Sequence, residues 1–388
     1  METVYTGESF PCNVTRSIFL AGPTPHSRET PSWRPKALRL LNKIGYDGHV
    51  FVPEYRDTFS NGEINYKEQI DWETEGLNRA DCIVFWVPRN LKTMPAFTTN
   101  IEFGAWAPTG KTIFGAPADA PKNDYLELKA DEMSVPRFQS LEETIARACE
   151  FLGEGGLRQN GECFVPLHVW RTESFRAWYK NLKKAGNRLD GAQLLWSYRT
   201  GRQKNFTFLW ILKVNVWVAA ESRHKTNEFV IARTDIASVM LWYEHANPLD
   251  SEIALVREFR SPARTEDGFI HELPGGSALE NISPNELACE ETAEETGFTF
   301  DPRRLIAHGS RQVAGTLSSH HAHIFSLRLT LAELQELKKI AASGTSRGNA
   351  ADSEKTYVEI KTLGEILARN LADWATLGMI LEVILNGK

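Results

Sequence analysis

The stretch CIVFWV (Cys82–Val87) is apolar at every position. A strand of this composition is covered on both faces, as in parallel sheets flanked by helices. Three further strands are predicted in the same part of the chain: SIFLA (Ser17–Ala21), HVFVP (His49–Pro53) and KTIFGAP (Lys111–Pro117). Helical patterns fall between and after them, over Trp33–Ile44, Tyr66–Ala80, Thr99–Ala107 and Leu141–Leu152. This alternation predicts a parallel α/β sheet with helices on both sides.

Ligands of such sheets bind beyond the carboxyl ends of the strands. Three tripeptides follow predicted strands and are therefore candidate ligand loops: Gly22-Pro23-Thr24, Pro53-Glu54-Tyr55 and Pro88-Arg89-Asn90.

A Gly-rich polar segment, residues 153–162, is predicted to be a linker between two domains. Residues 1–152 form the first predicted domain and residues 163–388 the second. The second begins with a helical stretch, Glu173–Ala185, and continues as many strands with one clear helix at Pro284–Thr296. This pattern predicts an α+β domain with a mixed or antiparallel sheet.

The totals exclude several classes of function. A net charge of −6 over 388 residues offers no broad basic surface for a nucleic-acid polymer. No apolar run reaches the roughly 18 residues of a transmembrane helix, and the N-terminal residues do not resemble a signal peptide. The five cysteines are scattered, which argues against disulfide frames and zinc sites. We therefore expect a cytoplasmic protein that does not bind membranes.

Glu102 lies in the predicted helix TTNIEFGAWA (Thr98–Ala107), directly after a loop. Near a helix N-terminus the ionised carboxylate is favoured, and an ionised carboxylate can act as a nucleophile. The preceding predicted helix carries a second group of acids, which includes Asp71, Glu73 and Glu75. From spacing alone two interpretations stay open: solvated charges on helix faces, or catalytic acids at neighbouring strand ends.

Five motifs occur together in this region: FLAGP (Phe19–Pro23), SWRPKAL (Ser32–Leu38), FVPE (Phe51–Glu54), QIDWETEGLNRADCIVFWVPR (Gln69–Arg89) and TTNIEFG (Thr98–Gly104). In this combination, residues 16–120 resemble the nucleoside 2-deoxyribosyltransferase-like family. The resemblance implies a flavodoxin-like doubly wound sheet without a cofactor. It also implies attack of a glutamate on the anomeric carbon of a nucleoside or nucleotide. The sugar then passes to another base or to water.

Carried over by position, the resemblance implies that Glu102 is the nucleophile. Glu73 takes the place of the acid that handles the base, with the neighbouring Asp71 as the alternative. The residues implied to contact substrate lie in two strand-end loops: Gly22, Pro23, Thr24, Arg89 and Asn90.

The second half contains GGSALENISPNELACEETAEETGF (Gly275–Phe298), which begins a helix with a capping box at Ser283–Glu286. Within the helix, three glutamates are spaced by three and four residues and share one face: Glu291, Glu294 and Glu295. A divalent cation would relieve their repulsion, and oxygen ligands suit Mg²⁺ or Mn²⁺. The alternative is an acidic helix face in solvent.

From Gly276 onwards this stretch resembles the Nudix box, G-x5-E-x7-R-E-U-x-E-E-x-G-U, in which U is a bulky apolar residue. Ile282 stands at the first glutamate position and Glu290 at the arginine position. The flanking strands resemble the ADP-ribose pyrophosphatase-like branch, so that the resemblance covers residues 207–385. It implies an α+β Nudix fold with a mixed sheet that cleaves a diphosphate with Mg²⁺ or Mn²⁺.

The implied metal ligands are Glu291, Glu294, Glu295 and the carbonyl oxygen of Gly275. Three further residues are candidates by position: Arg257 and Arg260 for phosphate contact, and Glu354 as catalytic base. The two arginines are equally well explained as exposed strand charges. The two substituted box positions predict weakened or altered turnover, with complete loss as the alternative.

The sequence therefore predicts a two-domain enzyme of nucleotide metabolism whose partners are small nucleosides or nucleotides. A rival hypothesis is a sensor whose Nudix-like domain binds a nucleotide without turnover. Both resemblances imply assembly as a homo-oligomer.

Overall fold

The computed structural model describes residues 1–26, 29–56, 65–200, 206–277, 282–349 and 354–386. The chain divides into two compact units, Met1–Ala232 and Arg233–Lys388. Among the described residues, no helix has the length and apolarity that a membrane crossing requires.

The first unit contains, in chain order, β1 (Glu2–Tyr5), β2 (Asn13–Val14), β3 (Ser17–Ala21), α1 (Arg34–Ile44), β4 (His49–Val52), α2 (Tyr66–Arg79), β5 (Cys82–Trp86), α3 (Phe97–Trp106), β6 (Thr112–Gly115), α4 (Asp124–Glu132), β7 (Arg137–Phe138), α5 (Leu141–Leu152), β8 (Arg158–Gln159), α6 (Leu167–Trp170), α7 (Glu173–Lys184), β9 (Arg188–Thr200), β10 (Phe206–Val218) and β11 (Arg223–Arg233).

A parallel sheet in the order β1-β4-β3-β5-β6-β7 forms the centre of this unit. Alternate side chains of each strand point to opposite faces. Phe19 and Phe85 pack on one face against α2, α3 and α4. Ile18 and Val84 pack on the other face against α1 and α5. The predicted doubly wound α/β fold is thus confirmed for the N-terminal part. The strand order reverses between β3 and β5, which is where such sheets bind ligands.

Residues 163–232 group with this unit, whereas the sequence-based division assigned them to the second domain. β9, β10 and β11 form a second sheet, in which β9 and β10 pair antiparallel, and this sheet packs on α7 around its own core. The predicted linker, residues 153–162, lies inside the unit, because the side chain of Arg158 is fully buried against Asp81. In addition, Ser197 Oγ on β9 donates a 2.7 Å hydrogen bond to the carbonyl of Thr109.

The second unit contains β12 (Ile236–Tyr243), β13 (Glu252–Phe259), β14 (Phe269–Glu272), β15 (Gly275–Gly276), α8 (Pro284–Thr296), β16 (Ile306–Gln312), β17 (His321–Arg328), α9 (Leu331–Ser343), β18 (Thr356–Thr362), α10 (Leu363–Arg369) and α11 (Trp374–Asn386).

Its sheet is mixed, as predicted: β12 pairs parallel with β17 and antiparallel with β13. One core lies against α8 and α9, and the other lies against α10 and α11. Two separate helices end the chain that the structure describes. Asn370 adopts φ 49°, a left-handed conformation that ends α10, and α11 begins after it.

Candidate functional site

The ends of β3 and β5 come very close at Gly22. A Cβ atom at this position would lie 2.2 Å from the carbonyl oxygen of Trp86, and Gly22 has φ +140°. Both observations require glycine here. The loop Gly22–Thr24 is therefore held against the end of β5, at the reversal of strand order.

The side chain of Arg34 holds this loop in place. Its guanidinium is buried and donates from Nη2 to the carbonyl of Gly22 at 2.7 Å and from Nη1 to Oγ1 of Thr24 at 3.1 Å. Nη1 also pairs with Oε1 of Glu54 at 2.7 Å, at the end of β4. The indole of Trp33 donates to the carbonyl of Pro23 at 3.2 Å. Side-chain hydrogen bonds and a buried cation thus hold the predicted substrate loop in place.

Glu102 lies on α3 and is half-buried. Burial raises the pKa of its carboxyl to about 7, the charge of Glu73 adds to the rise, and the charge of Arg34 opposes it. The helix begins at Phe97, slightly earlier than predicted, so Glu102 is its sixth residue. Burial therefore opposes the ionised form that a position near the helix N-terminus favours.

Glu73 lies on α2 and is also half-buried. Burial raises the pKa of its carboxyl, while a hydrogen bond from Gln69 Nε2 at 2.8 Å and the charge of Arg34 lower it. The charge of Glu73 is one of the causes that raise the pKa of Glu102, so the ionisation of the two carboxyls is linked. We call Glu73 and Glu102 the acid pair.

Asp71, the alternative acid, is located differently. It is exposed and forms a 2.5 Å ion pair with Lys67, one helical turn away. Residues two positions apart on a helix do not share a face, so Asp71 points away from the side that carries Glu73. The structure therefore brings Glu73, and not Asp71, to Glu102.

Arg89 and Asn90 occupy the loop after β5. Arg89 is buried and donates to the side chains of Asn123 at 3.0 Å and Asn100 at 2.7 Å, and to the carbonyl of Pro95 at 2.9 Å. The side-chain oxygen of Asn90 accepts from two backbone amides of its own turn. Both side chains thus shape the loop.

A cavity of about 350 Å³ lies beside this loop and the end of β6. Its lining residues are Pro88, Arg89, Asn90, Met94, Pro117, Asp119, Ala120 and Pro121. The acid pair lies outside this set. The cavity is large enough for a nucleobase-sized ring, and its lining is polar and apolar in about equal parts.

The chemistry available to the acid pair follows from its ionisation. When two neighbouring acids share one proton, one is available as a nucleophile and the other as a proton donor. The buried charge of Arg34 partly offsets the negative charge of the pair.

In the second unit, three carboxylates converge at Glu258, Glu295 and Glu354, and the candidate ligand atoms all lie within 4.8 Å of one another. Glu295 on α8 is buried, and its Oε2 accepts a 2.8 Å hydrogen bond from the amide of Gly275. Burial raises the pKa of Glu295 well above its usual value, and the charges of Glu291 and Glu354 contribute to the rise. Hard oxygen donors at this spacing fit Mg²⁺ or Mn²⁺.

The other predicted ligands lie at the edge of this cluster. Glu291 packs directly beside Gly276, where an added Cβ would come within 2.4 Å of its Oε1. Burial, followed by the charge of Glu294, raises the pKa of Glu291 to about 7. Glu294 itself is exposed. The contact of Gly275 with the cluster is made by its amide, which holds Glu295 in place.

The two candidate phosphate-binding arginines are engaged with acids. Arg257 pairs with Asp267 at 2.7 Å and stacks over the ring of Phe269. Arg260 pairs with Glu258 at 2.9 Å and with Glu272 at 3.2 Å. Arg260 is therefore next to the carboxylate cluster, whereas Arg257 lies on the exposed side of the strand.

The substituted box positions have acquired other environments. Ile282 packs against the core between the sheet and α8, and Glu290 is exposed. Glu258 is not among the residues predicted from the sequence, because its strand resembles an ordinary apolar strand. The buried ion pair of Arg34 with Glu54 was also not predicted, although both residues stand in quoted motifs.

The first unit thus defines a doubly wound α/β domain with a carboxylate pair beside its strand-end loops. Residues 15–120 match the family model described as nucleoside 2-deoxyribosyltransferase like. The predicted nucleoside 2-deoxyribosyltransferase-like domain is therefore confirmed, and its family indicates an enzyme of nucleoside glycosyl transfer. The match ends before the second unit, so the Nudix resemblance stays a prediction. No curated protein matches the chain.

Proposed function

We propose that the N-terminal domain cleaves the N-glycosidic bond of a nucleoside or nucleotide and transfers the sugar, with Glu102 as nucleophile and Glu73 as the acid for the base. The observation that carries this proposal is the coupling of two half-buried carboxylates beside a strand-end loop that the buried Arg34 holds. Both lie at the positions that the family resemblance indicates.

The reaction uses the single proton that the acid pair shares near neutral pH. With the proton on Glu73 and Glu102 ionised, Glu102 attacks the anomeric carbon. The C–N bond breaks, its electron pair leaves with the base, and the proton of Glu73 moves to the base. A glycosyl ester of Glu102 remains. Attack of a second base or of water on this ester returns the incoming proton to Glu73 and restores Glu102.

A product analysis tests this proposal. The purified protein is incubated with a panel of nucleosides and nucleotides, with and without a second free base, and products are identified by mass spectrometry. We expect release of the base from at least one substrate. A new nucleoside in the presence of the second base indicates transfer, and free sugar or sugar phosphate indicates hydrolysis. No released base from any compound would overturn the proposal.

The pH dependence of the reaction follows from the shared proton. Since the pair loses its last proton as pH rises through about 7, kcat is expected to fall above this pH. In Glu73→Gln the proton donor is absent and the like charge is removed. The pKa of Glu102 then decreases, and the falling limb disappears. Steady-state kinetics between pH 5 and 9 measure both profiles.

Glu75→Gln provides the matched control for this prediction. Glu75 lies on the same helix and pairs with Arg79 at 2.7 Å on the surface. Its substitution is expected to leave the profile unchanged. A falling limb that persists in Glu73→Gln would show that another group donates the proton.

For the second unit we propose a divalent cation site made by Glu258, Glu295 and Glu354, at which a nucleoside diphosphate derivative binds. When bound, the cation supplies Lewis acidity and an activated water for cleavage of a diphosphate. The chain's own residues orient this site: the Gly275 amide holds Glu295, and Arg260 balances the charge of Glu258. In the full chain, the second unit would cleave the diphosphate to a nucleoside monophosphate, and the first unit would then release the base of that monophosphate.

The rival function for the second unit is binding without turnover. It is favoured by Ile282 and Glu290, since neither can make the contacts of the residues they replace. The same product panel, repeated with Mg²⁺ and ADP-ribose-like compounds, distinguishes the two. Tight binding with no product indicates a sensor.

Occupation of the cation site should raise the thermal stability of the second unit. The three carboxylates repel one another, and Mg²⁺ or Mn²⁺ binding to the folded state alone stabilises it. Saturating Mn²⁺ is expected to raise the unfolding midpoint of this unit by about 5 °C. The gain is larger at pH 8 than at pH 6, because protons compete for carboxyls whose pKa burial raises. Differential scanning calorimetry measures the effect.

Glu295→Gln is expected to abolish this gain, and Glu290→Gln, at an exposed position of the same helix, is expected to keep it. An equal gain in both variants would place the cation elsewhere.

A further inference from the structure

Arg34 is a buried cation in the first unit, with its side chain only 1% exposed. A guanidinium buried to this degree requires partners for its charge and for its N–H groups. These partners indicate the role of Arg34.

The neutral partners of the Arg34 guanidinium lie at the end of β3 and in the loop that follows it. Its Nε donates to the carbonyl of Leu20 at 3.0 Å, Nη2 to the carbonyl of Gly22, and Nη1 to Oγ1 of Thr24. These bonds reach three alternate positions of one segment. Arg34 therefore fixes the path of the chain from the last residues of β3 into the loop.

The charged groups that face Arg34 come from three different elements. Glu54, at the end of β4, pairs with Nη1 at 2.7 Å, and Ser32 Oγ donates to the same carboxylate oxygen. Glu73 on α2 and Glu102 on α3 both have pKa values that the charge of Arg34 lowers. The positive charge of Arg34 thus acts on three carboxylates, of which only Glu54 forms a direct ion pair with it.

This arrangement leads to an inference that rests on the function proposed above for the acid pair. We propose that Arg34 is a positioning residue for glycosyl transfer: it holds the substrate loop and supplies the charge that keeps one member of the acid pair ionised. Glu54 modulates this role, since it takes a share of the same charge.

The proposal predicts opposite effects of two substitutions. In Arg34→Met the pair loses its cation, so both limbs of the pH–rate profile move to higher pH. A shift of one unit lowers kcat about tenfold on the acidic side. In Glu54→Gln a competing carboxylate is removed, and both limbs move to lower pH.

Arg34→Lys separates the two parts of the role. Lysine keeps the charge but lacks the planar fork that reaches Leu20, Gly22 and Thr24 together. We expect a pH profile close to that of the unchanged protein and a KM raised several-fold, because the loop loosens.

The experiment combines kinetics with carboxyl titration by NMR of protein labelled with ¹³C-carboxyl glutamate, and Glu102→Gln assigns the resonance of Glu102. Opposite shifts of the Glu102 titration in Arg34→Met and Glu54→Gln support the proposal. Equal losses of kcat with unmoved titrations would overturn it and leave Arg34 a purely structural residue. If Arg34→Met fails to fold, Arg34→Lys and Glu54→Gln still decide.

The titrations are measured without substrate, so the two proposals fail separately. Opposite shifts in a protein that releases no base would overturn the proposed reaction and keep the electrostatic role of Arg34. Base release that depends on Glu102, with titrations unaffected by both substitutions, would overturn the role of Arg34 alone.

Discussion

Glu102→Gln is expected to reduce base release on the order of a thousandfold or more, because the amide cannot attack the anomeric carbon and no ester forms. Replacement of Glu73 by Gln is expected to reduce the rate of base release by less, since Glu73 assists departure of the base without bonding to the sugar. Initial rates by chromatography of the free base measure both losses. Trapping of a glycosyl ester on Glu102 by mass spectrometry of the intact protein provides a second measurement.

The controls for this prediction come from the same structure. Glu75→Gln should retain full activity, as its carboxylate pairs with Arg79 on the surface. Base release that survives in Glu102→Gln would assign the nucleophile to another residue. A loss in Asp71→Asn equal to that in Glu73→Gln would show that the exposed acid, and not Glu73, acts on the base.

Glu102→Gln should also stabilise the fold at alkaline pH. The folded pKa of Glu102 is about 7 and its unfolded value is near 4.5, so the folded protein binds more protons between these values. Stability is therefore lost as pH rises through this window. Glu102→Gln removes this loss, which is on the order of 3 kcal/mol above pH 7. Little difference is expected at pH 4. A more stable but inactive variant also excludes misfolding as the cause of inactivity.

The sequence predicts the N-terminal sheet well for a physical reason. Strands such as CIVFWV (Cys82–Val87) are buried on both faces, and their composition reports that burial directly. β9 (Arg188–Thr200) is harder to predict for the converse reason. Its pairing with β10 contains register shifts that break the alternation of inward and outward side chains.

The candidate sites were only partly predictable, because their residues are distant in the sequence. Glu258 meets Glu295 and Glu354 only after β13, α8 and the residues before β18 are assembled. The spacing within α8 identified Glu295 but contains no information about β13. Likewise, the helical position of Glu102 suggested an ionised carboxylate, whereas burial and the charge of Glu73 decide its pKa.

The segment predicted as a linker shows the limit of composition. Residues 153–162 are polar and Gly-rich, which is typical of a linker, yet one arginine anchors the segment in the interior. Arg158 pairs with Asp81 through both carboxylate oxygens, and both side chains are 0% exposed. Asp81 also accepts hydrogen bonds from the amides of Ser17 and Leu167. Three distant segments of the chain therefore meet at one carboxylate.

Arg158→Met is expected to destabilise the first unit by about 3–5 kcal/mol, because it leaves the Asp81 carboxylate buried without its cation. Urea denaturation followed by Trp fluorescence measures the change. The double substitution Asp81→Leu/Arg158→Met removes both charges and should recover a large part of the loss, since two apolar groups carry no unpaired charge. A surface pair provides the control: Arg137→Met breaks the exposed contacts with Glu127 and Asp131 and should cost less than about 1 kcal/mol.

The buried ion pair of Arg158 with Asp81 also predicts which fragments of the chain can fold. A fragment of residues 1–152 ends before Arg158 and lacks the Leu167 amide, so Asp81 would lose both its cation and a hydrogen bond. A fragment of residues 1–232 retains them and matches the first compact unit. We expect the longer fragment to unfold cooperatively and the shorter one to be unfolded or markedly less stable. Equal stability of the two fragments would mean that the segment after residue 152 is dispensable, and that the buried ion pair does not hold the unit together.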